Sequence, residues 1–100
     1  MIINYVGFDK LSLPERSDVQ LLSEKYADKL VRVFPQSDAS LIVQVKLYDE
    51  AGARVKYAVH VRAGVTNRHA ADGVDWVLLK ALRSALVRLV KEVNKDFRRD

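Results

Sequence analysis

The amino-acid sequence predicts an α+β fold in which two helices pack on one face of a four-stranded sheet. Apolar residues recur every three or four positions in two segments and every second position in others, so the predicted element order is βαβββα. Each predicted helix has a single apolar stripe, and both stripes are buried if they cover the same face of the sheet. The 100 residues suit one domain, which spans residues 1–100.

The first strand and the first helix occupy the amino-terminal third of the chain. Residues 2–8, "IINYVGF", are β-prone, and the aspartate, serine and proline that follow predict a loop. Apolar residues then recur at helical spacing from Val19 to Phe34. Ser17 is the predicted N-cap, with Gln20 completing a capping box, and the helix is predicted to end near Phe34, before a proline.

Strict alternation predicts a hairpin in the middle of the chain. Residues 41–48 and 54–62 place side chains on two faces in turn, with a connecting turn around Gly52. The apolar set that is predicted to face the helices consists of Leu41, Val43, Val45, Leu47, Val55, Tyr57, Val59 and Val61. The opposite face is rich in cationic and ring-bearing side chains: Lys46, Tyr48, Arg54, Lys56, His60 and Arg62.

A further strand and a second helix complete the prediction. Gly64 predicts a turn, and the alternating residues 65–71, "VTNRHAA", predict a returning strand. Asp72 and Gly73 predict another turn, after which Asp75 is the predicted N-cap of helix two. The apolar stripe of this helix consists of Trp76, Leu79, Leu82, Leu86, Leu89, Val90, Val93 and Phe97, and both Trp76 and Tyr57 are assigned to the core.

Composition and charge limit the kinds of function that this protein can have. The chain has no cysteine, which excludes disulfides and thiolate metal ligands. It has no apolar stretch of membrane-spanning length and no basic leader, so we expect a soluble, cytoplasmic protein. Residues 1–50 hold six Lys or Arg and eight Asp or Glu, net −2, whereas residues 51–100 hold eleven and five, net +6. This local excess favours a polyanionic partner, of which nucleic acid is the commonest.

Three sets of cations are candidates for contact with the phosphates of RNA. An arc of about 140° opposite the apolar stripe of helix two holds Lys80, Arg83, Arg88, Lys91, Lys95 and Arg98. Helix one adds Lys25, Lys29 and Arg32, with Glu24 and Asp28 near enough in sequence to pair with them. The sheet contributes Lys46, Arg54, Lys56 and Arg62, with Arg68 close by. The alternatives are an ordinary solvated helix face and charges that protect an open sheet from aggregation.

No pattern in the chain predicts catalysis, a metal or a cofactor. His60 and His69 lack a second ligand at metal-binding spacing, and we expect both on strands, exposed or half-buried. The four glycines are scattered, so they predict no phosphate-binding loop. The carboxylates Asp72 and Asp75 fall in a predicted turn and a cap. We therefore expect a protein that is not an enzyme and has no small-molecule substrate.

Several short strings resemble the family of ribosome hibernation-promoting factors and ribosome-associated inhibitors, also called protein Y. They are "INYVG" at 3–7, "EKYADKL" at 24–30, "HVRAG" at 60–64 and "RHAADGVDW" at 68–76, so the resemblance covers nearly the whole chain. It implies a domain that binds the small ribosomal subunit in the channel for messenger and transfer RNA and blocks translation under stress. It also implies contacts of Lys25, Lys29 and the cations of helix two with ribosomal RNA, and no cofactor.

The chain departs from that family at a few positions, such as Val77, where the family often has an aromatic residue. It resembles the short family members, which lack a dimerisation extension, and we expect a monomer. The resulting hypothesis is a translation inhibitor whose partners are the small ribosomal subunit and its RNA, with no membrane partner. Two alternatives stay open: a double-stranded RNA-binding adaptor, and a protein-interaction module that uses the open sheet face.

Overall fold

A computed structural model confirms the predicted α+β fold and describes residues 1–34, 38–49 and 54–97. Its elements, in chain order, are β1 Ile2–Val6, α1 Leu13–Val31, β2 Ser40–Asp49, β3 Val55–Gly64, β4 His69–Asp75 and α2 Leu78–Phe97. A short 3-10 turn, Phe8–Lys10, joins β1 to α1. The predicted turn around Gly52 and the cation Arg98 lie outside the described residues.

The four strands form one mixed sheet in the order β1-β2-β3-β4. β1 runs parallel to β2, because α1 crosses over between them, and the other two pairs are antiparallel. In the central pair, Val43 lies opposite Val61 and Val45 lies opposite Val59. Since side chains alternate along a strand, this register gathers the valines on one face and the cations on the other. We name these the covered face, which carries the helices, and the open face.

Both helices pack on the covered face. α2 lies across β3 and β4, and α1 packs against α2. Fully burying one leucine or valine side chain contributes roughly 1.5–3 kcal/mol, so this layer is the main source of stability. Within the described residues, neither helix is long and apolar enough to cross a bilayer. The largest fully buried aliphatic side chains come from the sheet and both helices: Val19, Leu30, Leu41, Val43, Val59, Val61, Leu82, Leu86, Leu89 and Val93.

The first helix begins five residues earlier than predicted. Ser12 rather than Ser17 is the N-cap, because its Oγ accepts a hydrogen bond from the Glu15 N–H at 3.3 Å. The Glu15 carboxylate in turn accepts one from the Ser12 N–H at 2.8 Å, which completes a capping box. Pro14 lies in the first turn, where its missing N–H is not needed. The prediction was wrong because it assigned this proline to the loop after β1 instead of the first turn of a helix.

Glu15 also ties the start of α1 to the sheet. The Tyr57 hydroxyl on β3 donates a hydrogen bond to Glu15 Oε2 at 3.0 Å. The hydrogen bond from the Ser12 backbone N–H, aided by the Tyr57 hydroxyl, lowers the pKa of the Glu15 carboxyl against the opposing effect of partial burial. Burial and then the neighbouring Glu15 carboxylate raise the pKa of Tyr57. A charged carboxylate and a neutral phenol therefore hold the helix and the sheet together.

The fourth strand lies four residues later than predicted. It spans His69–Asp75 instead of 65–71, so Asp72 and Gly73 lie inside the strand and not in a turn. Gly73 faces α2 so closely that a Cβ there would overlap the carbonyl oxygen of Ala81. Glycine inside a strand often marks such a close approach of two backbones. This glycine therefore positions α2 against β4, a role that the turn prediction did not include.

Candidate nucleic-acid interface

The predicted cations lie on two sides of the molecule. The helices carry Lys25, Lys29, Arg32, Lys80, Arg83, Arg88, Lys91 and Lys95, all exposed. The open face carries Lys46, Lys56 and Arg62, with Arg54 just before β3 and Arg68 just before β4; Lys56 is half-buried and the others are exposed. The sheet and the core separate the two sets. The cations therefore form two surfaces instead of one continuous site.

Two of the helix-side cations line a shallow groove between α1 and α2. Lys25 and Arg83 line this groove from opposite helices, so the packing joins two sets that were predicted separately. The groove has a partly apolar floor, which suits the aliphatic stems of these long side chains. Its other lining residues are Asp18, Leu21, Leu22 and Leu79.

The ion pairs that the sequence allows on α1 do not form among the described side chains. Neither Glu24 nor Asp28 lies within 4 Å of a described cation, and Lys29 Nζ instead lies 4.7 Å from the centroid of the Tyr26 ring. More generally, no Lys or Arg among the described side chains pairs with a described carboxylate. The positive charge of both surfaces is therefore not neutralised by ion pairs within this part of the chain.

Arg88 has a structural contact that the sequence did not predict. Its Nη1 donates to the carbonyl oxygen of Asp72 at 3.1 Å, and Glu92, one turn later, accepts a hydrogen bond from the Ala70 N–H at 3.0 Å. Both backbone groups belong to β4, an edge strand of the sheet. Edge strands need such partners, because their outer N–H and C=O groups are unpaired. Arg88 is consequently a poorer candidate for phosphate contact than its neighbours on α2.

Trp76 lies beside the open face and not in the predicted core. α2 begins at Leu78, so Trp76 is in the connection after β4, where Asp75 Oδ1 accepts a hydrogen bond from the Val77 N–H at 2.9 Å. Its side chain is 39% exposed. The prediction counted Trp76 as the start of the helical stripe. The alternation of β4 continues through this residue instead and places it on the side of Lys56.

A cluster of rings and cations therefore forms where β3 begins and β4 ends. The Arg54 guanidinium carbon lies 4.3 Å from the centroid of the Trp76 ring, and Lys56 Nζ lies 5.4 Å from it. Both distances are typical of cation–π contacts. Tyr48, which is 49% exposed, lies opposite Lys56 on β2. We name this group the Trp76 platform: Tyr48, Arg54, Lys56 and Trp76.

The middle of the open face holds a chain of three polar side chains. His60 Nδ1 contacts Asp72 Oδ1 across the β3–β4 pair, and Arg62 Nε donates to His60 Nε2 at 3.0 Å. Because Nε2 accepts a hydrogen bond, the proton of the neutral ring lies on Nδ1. Both ring nitrogens are engaged, so His60 presents neither of them for proton transfer with a substrate. Asp72 thus serves this network on a strand, where a turn was predicted.

The second histidine lies on the other side of the sheet. His69 is buried, in contrast to the exposed or half-buried position predicted for it, and its ring centroid lies 5.7 Å from that of Phe34. The sheet therefore separates His69 from His60. In the described ranges, no three side chains of the types that bind metals come together.

Sequence reasoning missed three participants of these surfaces: Trp76, Asp72 and Glu92. The signal for the first two was the alternation in "HAADGVDW", in which positions 70, 72, 74 and 76 share one side. That run has few of the β-branched and aromatic residues that identify strands. Glu92 had no local signal, because its partner is the backbone of a residue 22 positions away.

No protein-family model matches the chain, and no curated protein is significantly similar to it. The resemblance to hibernation factors rests on the four short strings and on the element order. The structural features that point to a function are the two cationic surfaces and one aromatic cluster.

Proposed function

We propose that this chain binds ribosomal RNA and acts as a ribosome-associated translation inhibitor of the hibernation type. It acts by occupancy: the domain fills the messenger and transfer RNA channel of the small subunit, and its Lys and Arg side chains contact phosphates. Such contacts fix the position of the protein on the RNA without recognising the base sequence. In this proposal the protein needs neither a cofactor nor a catalytic residue.

The observation that carries the proposal is the presence of two cationic surfaces on different sides of one small domain. Lys25, Arg83 and Lys91 are exposed on the helices, while Lys46 and Arg62 are exposed on the open face. A duplex that lies along one side of the protein leaves the other surface unused. A channel lined by RNA contacts both, and each phosphate contact releases counterions that favour binding.

The resemblance supports the same conclusion from a separate direction. The string "EKYADKL" lies on α1, where both of its lysines, Lys25 and Lys29, are exposed and lack a carboxylate partner among the described side chains. The string "HVRAG" lies on β3 and contributes His60 and Arg62 to the open face. The strings therefore contribute residues to both cationic surfaces.

Cosedimentation of the purified protein with small ribosomal subunits, at low and moderate salt, tests the proposal. We expect stoichiometric binding that weakens steeply with salt, with duplex RNA and large subunits failing to compete. Absence of binding at low salt would refute the proposal. Stronger binding to duplex RNA would favour the adaptor, and salt-insensitive binding to one protein partner would favour the interaction module.

Paired charge reversals test whether both surfaces contact RNA. Lys80→Glu with Lys91→Glu alters the helix side, and Lys46→Glu with Arg62→Glu alters the open face. Each pair is expected to weaken subunit binding and to reduce the salt dependence, log K against log salt, by about 1 to 2. Lys80→Arg with Lys91→Arg keeps the charge and should retain binding. If only one reversal weakens binding in a folded variant, the protein lies flat against RNA and does not fill a channel.

A further inference from the structure

One part of the open face has a chemistry that phosphate binding does not require. The Trp76 platform combines two exposed rings with two cations, whereas a phosphate-binding surface needs only the cations. Large aromatic side chains at a surface leave apolar area in contact with water. A ligand with a flat apolar face can cover that area, and a cationic surround selects a ligand that also carries negative charge.

We infer that the Trp76 platform binds an unpaired nucleotide, with its base stacked on the layer formed by Trp76 and Arg54. The guanidinium carbon of Arg54 lies 4.3 Å from the Trp76 ring centroid, so the two form a cation–π pair that a base can extend by stacking. Lys56 lies beside Trp76. The exposed Lys46 lies opposite Ala58, two positions along β3 from Lys56, so both cations are on the face that the adjoining phosphates would contact. This inference rests on the proposed binding of RNA and specifies which form of RNA the open face contacts.

The geometry favours single-stranded RNA over duplex. In a duplex each base already stacks on its neighbours, so its face cannot reach a ring on a protein surface. An unpaired nucleotide exposes that face, and stacking on aromatic or Arg planes is the usual way in which proteins hold it without reading its sequence. Tyr48 lies opposite Lys56 on the neighbouring strand and offers a second ring to the next base.

The platform also explains why Arg54 and Lys56 contact a ring instead of a carboxylate. The cation–π contacts place both side chains beside the ring while their positive charge stays available, because the ring carries no net charge. An ion pair with Asp or Glu would instead cancel the charge that attracts phosphate. The platform therefore keeps its positive charge available to RNA.

The fluorescence of Trp76 tests the inference directly, because it is the only tryptophan in the chain. A short oligouridylate is titrated into the protein, and an abasic oligonucleotide of the same length and charge serves as the matched control. In parallel, the anisotropy of a dye-labelled oligouridylate reports RNA binding whether or not a base stacks. We expect saturable quenching by the oligouridylate and little or none by the abasic strand.

Two substitutions separate stacking from folding. Trp76→Leu is expected to lower the anisotropy-measured affinity for oligouridylate about tenfold, whereas Trp76→Phe keeps a ring and should retain most of the affinity. Neither change should alter affinity for the abasic strand. Trp76 is partly exposed, so both variants should keep the circular dichroism spectrum of the native protein.

The possible results distinguish this inference from the proposed function. If the anisotropy rises but Trp76 is not quenched, or if the abasic strand quenches equally, the stacking inference is wrong while RNA binding stands. If Trp76→Leu binds oligouridylate as tightly as the native protein, the inference is likewise wrong. If neither the oligouridylate nor the small subunit binds the native protein at low salt, both the inference and the proposed function fail.

Discussion

The two faces of the sheet use the same strands for different purposes. On β3, Val59 and Val61 are 1% and 0% exposed beneath the helices, while His60 and Arg62, one position along, lie on the open face. The covered face contributes free energy through burial, and the open face presents charge and rings to a partner. Stability and binding can therefore be altered separately, because residues of one strand that face the helices contribute to stability and their neighbours on the open face are available for binding.

The largest expected effect is a difference in the free energy of unfolding between substitutions on the two faces of β2. Leu41→Ala removes a side chain that is 0% exposed and should lower the free energy of unfolding by about 3 kcal/mol. Lys46→Ala, on the open face of the same strand, should change it by less than about 0.5 kcal/mol. Urea unfolding followed by circular dichroism measures both. Equal losses from the two variants would mean that the open face also contributes to the packed core.

The next largest effect concerns the contact of β4 with α2. Gly73→Ala adds a Cβ that would overlap the Ala81 carbonyl oxygen, so the helix must shift, at a cost of about 2 kcal/mol. The control is Val74→Thr, which keeps a β-branched side chain at the adjacent position on the open face, where Val74 is 55% exposed. Thermal unfolding compares the two variants. A Gly73→Ala protein as stable as the native one would contradict the close approach of α2 to β4.

The smallest effect is a dependence on pH that belongs to the covered face. The folded-state pKa of Glu15 is lowered below its ordinary value of 4.5, chiefly by the hydrogen bond from Ser12, so the unfolded chain binds this proton first as the pH falls. Stability from Glu15 is therefore fully present above about pH 4.5 and is lost below it, as the pH falls through the folded-state pKa. Tyr57→Phe removes one hydrogen bond to Glu15 and should weaken this dependence.

Tyr48→Phe is the matched control for that measurement, because Tyr48 is 49% exposed on the open face, whereas the hydrogen bonds to Glu15 come from Ser12 and Tyr57. Urea unfolding at a series of pH values, for the native protein and both variants, gives the dependence of stability on pH. We expect the Tyr48→Phe curve to follow that of the native protein. A Tyr57→Phe curve that also follows it would exclude any influence of the sheet on Glu15.

The fold was predictable where the pattern was local and regular. β2 and β3 alternate over many residues with valine on one face, and the structure confirms that register. The predicted start of α1 was wrong although its signal is local: Ser12 and Glu15 have the capping-box spacing, and Pro14 is typical of a first helical turn. The predicted position of β4 was wrong because glycine is typical both of a turn and of a close approach of two backbones, and only the packing of α2 against Gly73 decides between them.

The candidate interface was predictable as a set of exposed charges but not as an arrangement. The described cations lie at the surface, as predicted, with Lys56 half-buried. Trp76 was wrongly assigned to the core, because it lies against Arg54 beside the open face, and the sequence did not show that Arg88 also donates a hydrogen bond to the edge of β4. Both contacts join residues that are distant in sequence, which periodicity cannot reveal.

By itself, the sequence determined the element order, the apolar face of each element and the excess of positive charge in the second half of the chain. These properties are local, because side-chain spacing along the backbone decides which residues share a face. Only the tertiary structure decided that Lys25 and Arg83 line one groove and that Trp76 contacts Arg54 beside the open face. It also decided that Arg88 and Glu92 form hydrogen bonds with backbone groups at the edge of β4. Such contacts depend on where whole helices and strands are placed relative to one another, and spacing along the chain does not contain that information.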